Sequence, residues 1–272
     1  MGKIIAFANQ KGGVGKTTTC INVAAYIAAM GKKVLIVDMD PQGNASSGVG
    51  IEKSNETKTL YNVISKEVLI DEVIQETVLD GLDIVPATVD LAGAEIDLVQ
   101  LPAREHVVKN ALNRVKDKYD FIFMDCPPSL GLITVNALTA ADSVIIPIQC
   151  HFYALEGLTQ LMNTIKLIIH HLNPELQIEG VVLTMKDNRS NLVEQVSDEV
   201  RKFFNKKVYD TCIPQNIRLA EAPSHGLPIV LYDTSSKGAE AYMSLAEEVL
   251  TRNKHSYEKI TKHTKIRVRS KQ

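Results

Sequence analysis

The sequence predicts a single α/β domain with a mostly parallel central sheet and helices on both faces of that sheet. Short, continuous apolar runs alternate with segments of helical periodicity from one end of the chain to the other. Continuous apolar strands are typical of parallel sheets that are buried on both faces. A glycine-rich turn joins the first apolar run to the first helical segment, and no linker or composition break divides the chain. Right-handed crossovers between the parallel strands follow from this order of elements.

Each element is assigned from its periodicity and from the residues that bound it. Apolar runs between turn residues predict strands at residues 4–8, 33–40, 82–86, 121–125, 143–148, 177–184 and 208–213. Helical spacing predicts helices at residues 17–30, 59–64, 71–76, 89–116 with an interruption at Pro102, 154–171, 192–205 and 239–250. The first helix is expected to end at Gly31, a residue type favoured at helix C-termini. The small, polar residues 45–55 predict a loop.

The composition is that of an ordinary soluble protein, but its charge is unevenly distributed. The chain has 272 residues, 45% of them hydrophobic and 23% charged, with a formal net charge of −2. Residues 251–272 hold eight Lys and Arg side chains against the single acid Glu258. We therefore predict one domain over residues 1–252 and a basic, mobile tail over residues 253–272. A basic tail on an acidic body suggests an anionic partner such as DNA.

The cysteines and the apolar runs argue against several other classes of protein. The four cysteines lie far apart and form no C-x-x-C pair, which argues against a zinc or iron–sulfur site within one chain. The first strand follows Met1 so closely that no signal peptide is expected. No apolar run approaches the roughly 18 residues of a membrane span, so we expect a cytoplasmic protein that does not insert into membranes.

The turn after the first strand has the composition of a phosphate-binding loop. Strand, glycine-rich turn and helix follow one another, and the turn ends in Gly15-Lys16-Thr17. Glycines let several backbone N–H groups converge on an anionic oxygen, and the helix N-terminus adds unpaired N–H groups and a positive dipole end. Lys16 would lie beside the β- and γ-phosphates, and the Thr17 hydroxyl would coordinate Mg²⁺. The sequence therefore predicts nucleotide binding.

This loop departs from the ordinary G-x4-G-K-[ST] pattern at its first position. That pattern requires glycine at position 10, where Gln10 stands, and a second lysine, Lys11, follows directly. Lys11-Gly12-Gly13-Val14-Gly15-Lys16-Thr17 is thus a loop with a lysine at each end.

Carboxylates follow two of the apolar strands at the edge where ligands bind in open α/β sheets. Asp125 ends its strand and fits the role of the acid that holds Mg²⁺ or its waters. Asp38 and Asp40 are two residues apart, so they would project to the same side of an extended chain. One of these two carboxylates can hold a metal-bound water while the other orients the attacking water at the γ-phosphate.

Five segments together resemble the ParA/Soj partition ATPases, which belong to the ParA/MinD class with a deviant Walker A loop. These segments are residues 11–18, 37–44, 121–128, 154–158 and 213–226, and the resemblance covers approximately residues 2–250. It implies an ATPase with the P-loop NTPase fold that forms a homodimer around two Mg²⁺–ATP molecules. It also implies slow hydrolysis that a ParB-type centromere-binding protein accelerates.

The resemblance assigns roles to individual residues. Lys11 would contact the partner subunit's nucleotide, Lys16 and Thr17 would serve the chain's own nucleotide, and Asp40 would position the hydrolytic water. Further phosphate contacts would come from Gly12, Gly13, Val14, Gly15 and Thr18. The adenine site would be lined by Pro214 and Asn216, with Met185 as a further candidate. The family usually has an acid in the stretch where His151 stands in this chain.

The resemblance also implies binding to double-stranded DNA without sequence preference. It points to Arg189 in the loop of residues 184–189, with Lys186, Arg201 and Arg218 as further candidates. Contacts of this kind go to phosphates and are sensitive to salt. The protein would then be associated with the nucleoid.

Other readings of the same residues stay open. A MinD-like ATPase that cycles on membranes would need an apolar helix face near its C-terminus, and residues 251–272 offer only Tyr257, Ile260, Ile266 and Val268 among many charges. A small-molecule ligase or kinase of the same fold would not need the second lysine. An electron-transfer iron protein would need paired cysteines that bridge two subunits, and only Cys126 lies near the predicted site.

Overall fold

The computed structural model describes residues 2–54, 56–150, 154–187, 191–261, 264 and 266–270. Eight strands form one sheet: β1 (Lys3–Phe7), β2 (Val34–Asp38), β3 (Gln75–Glu76), β4 (Leu82–Val85), β5 (Phe121–Asp125), β6 (Ser143–Gln149), β7 (Gln177–Lys186) and β8 (Val208–Pro214). Their order is β3-β4-β2-β5-β1-β6-β7-β8. Every neighbouring pair is parallel except β3 and β4. The predicted α/β fold with a mostly parallel sheet is confirmed.

The α-helices of the described residues cover both faces of this sheet. They are α1 (Lys16–Ala29), α2 (Asn44–Gly48), α3 (Leu60–Ile64), α4 (Ala94–Gln100), α5 (Val107–Leu112), α6 (Leu132–Ala140), α7 (Ala154–His171), α8 (Asn191–Phe204), α9 (Ile217–Glu221), α10 (Ile229–Tyr232) and α11 (Lys237–Arg252). Side chains alternate along each strand, so β1 sends Ile4 and Ala6 into one apolar core and Ile5 and Phe7 into the other. Both cores are built mainly from Ile, Leu, Val and Ala.

The predicted helix at residues 71–76 is wrong over most of its length. A single 3₁₀ turn covers Ile70–Glu72, and residues 75 and 76 form the edge strand β3 against Ile84 and Asp83 of β4. The apolar spacing of Ile70 and Val73 reflects packing of a short turn against the core.

The predicted helix at residues 89–116 is broken more often than its periodicity indicates. Only α4 and α5 are α-helical, and 3₁₀ turns cover Val89–Gly93, Arg104–His106 and, from the last predicted residue onward, Lys116–Lys118. Ala103 follows Pro102 with φ +51°, a left-handed conformation that redirects the chain between the two helices.

Four α-helices of the described residues were not predicted, and two of them, α9 and α10, are short helices after β8. Residues 44–48 form α2 at the start of the predicted loop, and residues 132–140 form α6 after β5. The carboxylate of Glu95 accepts hydrogen bonds from the N–H groups of Leu132 (2.9 Å) and Ile133 (3.3 Å) and so caps α6 from another helix. Since this cap comes from 37 residues earlier in the chain, no local signal marks the start of α6.

The described part of the tail lies across the amino ends of the strands, opposite the predicted site. The His255 ring lies 4.7 Å from the Phe121 ring at the start of β5, and Glu258 N donates to Met30 O between α1 and β2. Further along, Arg269 N donates to Val78 O, and the Arg269 guanidinium pairs with Asp83 at 2.9 Å. The division of the chain into a domain and a mobile tail stays a prediction.

Candidate functional site

The glycine-rich loop leaves β1 at its carboxyl end and enters α1 at Lys16. Gly13 and Gly15 have φ +72° and +82°, left-handed values that glycine adopts without strain, and Gly15 is the N-cap of α1. Lys16 is only 6% exposed, and its ammonium donates to the Lys11 carbonyl oxygen at 3.1 Å. Burial lowers the pKa of Lys16, an effect that Asp125 opposes. The loop therefore closes on itself through the two lysines at its ends.

Strand order places the acidic strand ends beside this loop. β5 lies between β1 and β2, so Asp125 is in register with Phe7 on one side and with Asp38 on the other. All three strands are parallel, and their carboxyl ends meet at the edge of the sheet where the loop begins. The carboxylates singled out from the sequence are thus brought together with Lys16.

Asp125 is a buried carboxylate whose oxygens make no hydrogen bond of regular geometry within the described part of the chain, although the nearby Thr17 side chain lowers its pKa. It is fully buried, and neither of its oxygens has a partner among the described residues. Burial raises the pKa of Asp125 well above its ordinary value, Asp38 raises it further, and Thr17 and Lys16 act in the opposite direction. A buried acid without a donor is costly unless a cation completes its environment. Carboxylate and hydroxyl oxygens are donors that Mg²⁺ prefers, so Asp125 and Thr17 fit such an ion.

Asp38 is equally buried but is already engaged in hydrogen bonds. Its carboxylate accepts from the backbone N–H and the hydroxyl of Ser46, at 2.8 and 2.7 Å, and from Asp40 N at 3.2 Å. Burial raises the pKa of Asp38 to about 6, and these hydrogen bonds lower it in part. Asp38 therefore holds the turn that carries Asp40. Any metal contact of Asp38 stays a prediction.

Asp40 lies at the start of the turn after β2. It is 8% exposed, and its Oδ1 accepts from Gln42 N at 2.9 Å while its carbonyl accepts from Gly43 N at 2.8 Å. Gly43 has φ +60°, and a Cβ there would lie 2.4 Å from the Ala87 carbonyl oxygen. The turn is therefore packed tightly against the end of β4, which limits where the Asp40 carboxylate can lie.

A cavity of about 310 Å³ opens beside the second half of the loop. Its lining includes Gly15 and Thr18 from the loop side and Met185, Pro214 and Asn216 from the ends of β7 and β8. The Oδ1 atom of Asn216 is buried and has no hydrogen-bond partner among the residues that the structure describes. An unpaired acceptor on the wall of an apolar cavity suits an amino group such as that of adenine. The three residues proposed for the adenine site thus line one cavity next to the loop.

The candidate DNA contacts are spread over several elements and take part in internal contacts. Lys186 pairs with Glu194 at 3.4 Å, and Arg218 pairs with Glu221 at 2.8 Å and with Asp233 at 3.5 Å. Arg201 donates to the Cys212 sulfur at 3.8 Å. Arg189 and His151 lie outside the described residues.

Sequence reasoning missed two buried polar residues that shape the site. Asn9 connects the loop to β6, and Ser46 connects Asp38 to the end of β4. Both are polar side chains next to a predicted site in an otherwise apolar or small-residue stretch. Since buried polar groups are normally hydrogen-bonded, their position in the sequence could have indicated a structural role.

Comparisons with known proteins agree with this geometry. A family model described as an AAA domain matches residues 2–178. The sporulation initiation inhibitor protein Soj of Bacillus subtilis is 59% identical over 249 residues, which cover 92% of this chain and 98% of that protein. The chain belongs to the ParA/Soj family of partition ATPases. The resemblance seen in the motifs is therefore confirmed.

A further named relative and a solved structure are similar to this ParA/Soj chain over most of its length. The chromosome partitioning protein ParA of Myxococcus xanthus is 53% identical over 253 residues, covering 93% of this chain and 89% of that protein. A crystal structure of cobyrinic acid a,c-diamide synthase from Mycobacterium smegmatis with bound ADP and magnesium is 34% identical, with a TM-score of 0.82. It covers 93% of this chain and 96% of its own. Within the described part of this ParA/Soj chain, no helix has the length and apolar character to cross a membrane.

Proposed function

We propose that this protein is a DNA-segregation ATPase that works as an ATP-dependent homodimer. One observation carries the proposal: the two lysines of the loop have different environments. The Lys16 ammonium is buried and bound within its own chain, whereas the Lys11 ammonium makes no hydrogen bond or ion pair among the described residues. The Lys11 ammonium, at the head of the phosphate loop, is therefore available to contact the phosphates of a nucleotide that is held by a second copy of the chain.

The residues around the loop account for the hydrolysis of ATP. The substrate ATP is held by the N–H groups of residues 12–18 and by Lys16, and its base occupies the cavity lined by Pro214 and Asn216. Asp40 orients a water for in-line attack on the γ-phosphate. Mg²⁺, held by Thr17 and Asp125 with Asp38 behind them, would neutralise charge on the phosphate oxygens.

The need for a second subunit keeps ATP hydrolysis slow in the monomer. In a monomer, Lys16 is the one lysine of the loop that opposes the charge developing on the transferred phosphoryl group, because Lys11 is supplied by the other subunit. Preorganised positive charge is a main source of rate enhancement in phosphoryl transfer. Hydrolysis is therefore confined to the dimer and limits its lifetime, and a ParB-type centromere-binding protein shortens that lifetime.

The DNA-binding state is the ATP-bound dimer, in the cytoplasm and on the nucleoid. Arg189, Lys186, Arg201 and Arg218 would contact phosphates only. Lys186 lines a neighbouring hollow together with Asn216 and Ile217, and Asn216 and Ile217 also line the cavity proposed for adenine. That proximity offers a route by which bound ATP changes the position of the DNA-contacting loops.

A small-molecule ligase of the same fold is a second candidate, because the Mycobacterium smegmatis structure at 34% identity is named as a synthase. The identity to Soj is much higher, and a ligase has no use for an uncommitted Lys11. A ligase would bind ATP without any dependence on DNA.

The test is binding of a random-sequence DNA duplex in the presence of ATP or ADP, with Mg²⁺, across a salt series. We expect binding with ATP only, with an affinity that falls linearly on logarithmic axes as salt rises. Arg189→Ala and Arg218→Ala should weaken binding and reduce the salt slope by about one each. Arg114→Ala is the matched control: its side chain is 50% exposed and paired with Asp71, whereas that of Arg218 is 54% exposed and paired with Glu221. Tight ATP binding without DNA binding at low salt would contradict the proposal.

A further inference from the structure

We propose that Asn9 is the positioning residue for Lys11, a role that rests on the function proposed for Lys11 above. Asn9 lies between the end of β1 and the head of the phosphate loop and is 6% exposed. Its carboxamide makes two hydrogen bonds in different directions. One reaches across the sheet to β6, and the other reaches forward to the backbone of Lys11.

The first bond extends the sheet beyond the end of β1. The pairing of β1 with β6 ends at Phe7 and Ile145, and Ala8 N donates to the Ile145 carbonyl at 3.2 Å. The next carbonyl of β6 on this side belongs to Pro147, and the chain has already turned into the loop. Asn9 Nδ2 donates to the Pro147 oxygen at 2.7 Å. The Asn9 side chain thus takes the place of a backbone N–H donor, which the chain no longer offers to β6 after it turns into the loop.

The second bond fixes the residue that carries the uncommitted lysine. Asn9 Oδ1 accepts from Lys11 N at 3.0 Å, and the Lys11 carbonyl accepts from Lys16 Nζ at 3.1 Å. The backbone of Lys11 is therefore held on both sides, by Asn9 through its N–H and by Lys16 through its carbonyl. Only a carboxamide of this length offers the donor and the acceptor together. Aspartate keeps the acceptor and loses the donor, and alanine loses both.

The second half of the loop does not depend on Asn9. Thr184 of β7 donates its hydroxyl to the Val14 carbonyl at 2.8 Å, and Thr19 N donates to the Gly15 carbonyl at 2.9 Å. Removal of the Asn9 carboxamide therefore loosens the head of the loop while the part that holds the chain's own nucleotide stays in place. Binding of ATP and the step that needs Lys11 should respond differently to the change.

The experiment is a double-mutant cycle on the full chain with Asn9→Ala, Lys11→Ala and the double variant. Affinity for a fluorescent ATP analogue and steady-state ATP turnover are measured for each. For Asn9→Ala we expect affinity within about threefold of wild type and turnover lower by about tenfold or more. The double variant should be no slower than Lys11→Ala alone, because residues that act through one another are not additive.

Two further variants keep the test decisive. Asn173 is a matched control, since it is 5% exposed and its amide is bonded to the carbonyls of Leu138 and Ala141 away from the loop. Asn173→Ala should lower thermal stability without changing the ratio of turnover to ATP affinity. Asn9→Asp, which keeps the shape of the side chain, should slow turnover as Asn9→Ala does and covers the case in which the alanine variant fails to fold.

The outcomes separate this inference from the proposed function. If the Asn9 and Lys11 effects multiply in the double variant, or if Asn9→Ala retains wild-type turnover, Asn9 does not act through Lys11 and the inference is overturned. If Asn9→Ala slows turnover but Lys11→Ala does not, both the inference and the role proposed for Lys11 fail. If Asn9 and Lys11 are coupled but the wild-type protein stays monomeric with ATP, the proposed dimer fails and the positioning role of Asn9 stands.

Discussion

The hydroxyl of Ser46 joins the carboxylate of Asp38 to the backbone just after the neighbouring strand β4. Ser46 Oγ donates to Asp38 Oδ2 at 2.7 Å and accepts from Ala87 N at 3.0 Å. Asp38 Oδ1 in turn accepts from Asp40 N at 3.2 Å. The turn that carries the proposed water-orienting acid is therefore tied, through one serine, to the residues that follow β4.

Ser46→Ala should destabilise the protein and lower its turnover. Ser46 is fully buried, so the change leaves the Ala87 N–H without a partner and removes one bond to Asp38. The expected loss in the free energy of unfolding is about 1–3 kcal/mol, measured by urea denaturation. Ser47→Ala is the matched control, because that side chain is exposed and makes one weaker bond to the Gly43 carbonyl at 3.3 Å. Equal effects of the two changes would contradict the role given to Ser46.

The stability of the nucleotide-free protein should respond to pH through Asp38. Burial raises the pKa of Asp38 from 3.8 to about 6, so the folded state binds a proton more tightly than the unfolded state does. The associated stability is present below pH 3.8 and is lost as pH rises through about 6, a change of about 3 kcal/mol. The Asn side chain of the Asp38→Asn variant does not bind or release a proton in this pH range. Its free energy of unfolding should therefore rise relative to wild type between pH 4 and pH 7, and a constant difference over that range would refute this assignment.

Asp125→Asn should stabilise the nucleotide-free protein and abolish its response to Mg²⁺–ATP. Within the described part of the chain the wild-type carboxylate is buried without a regular hydrogen bond, so a neutral amide of the same shape should raise the free energy of unfolding at pH 8 by about 1–3 kcal/mol. Thermal melts with and without Mg²⁺–ATP measure both effects.

Thr139→Val is the control for Asp125→Asn, since the Thr139 hydroxyl on α6 is also buried and has no partner among the described residues. It should stabilise the protein slightly and keep the full Mg²⁺–ATP response. An Asp125→Asn variant that melts at a higher temperature with Mg²⁺–ATP, as wild type should, would rule out the proposed role of Asp125.

Arg269→Ala should lower thermal stability although it lies near the end of the chain. The guanidinium donates to the carbonyls of Thr77 and Leu82 and to Asp83, and the side chain is 23% exposed. We expect a loss of about 1–3 kcal/mol, or a melting temperature lower by roughly 2–8 °C. Arg267→Ala removes an exposed cation next to it and should be neutral. If both variants melt like wild type, the tail is not fastened to the sheet in solution.

The sequence was sufficient for the parts of the fold that depend on local pattern. The apolar strands, the glycine-rich turn and the acids at strand ends follow from periodicity and residue type, and the structure places Lys16, Asp38 and Asp125 at one edge of the sheet. Strand order explains this meeting, because parallel strands bring their carboxyl ends together.

The features that escaped prediction depend on contacts between distant residues. The start of α6 is capped by Glu95, and β3 exists only because β4 offers it a partner. The roles of Asn9 and Ser46 likewise need the positions of Pro147 and Ala87, which no local window contains. Long-range hydrogen bonds override local propensity in each case.

The most direct test of the central claim mixes two inactive variants, Lys11→Ala and Asp40→Ala. If Lys11 serves the partner's nucleotide, a mixed dimer has one complete site, with Asp40 and Lys16 from the Lys11→Ala subunit and Lys11 from the Asp40→Ala subunit. ATP turnover should reappear on mixing, at up to about a quarter of the wild-type rate for random pairing of subunits. Turnover that stays at the sum of the separate variants would contradict an active site shared between two chains.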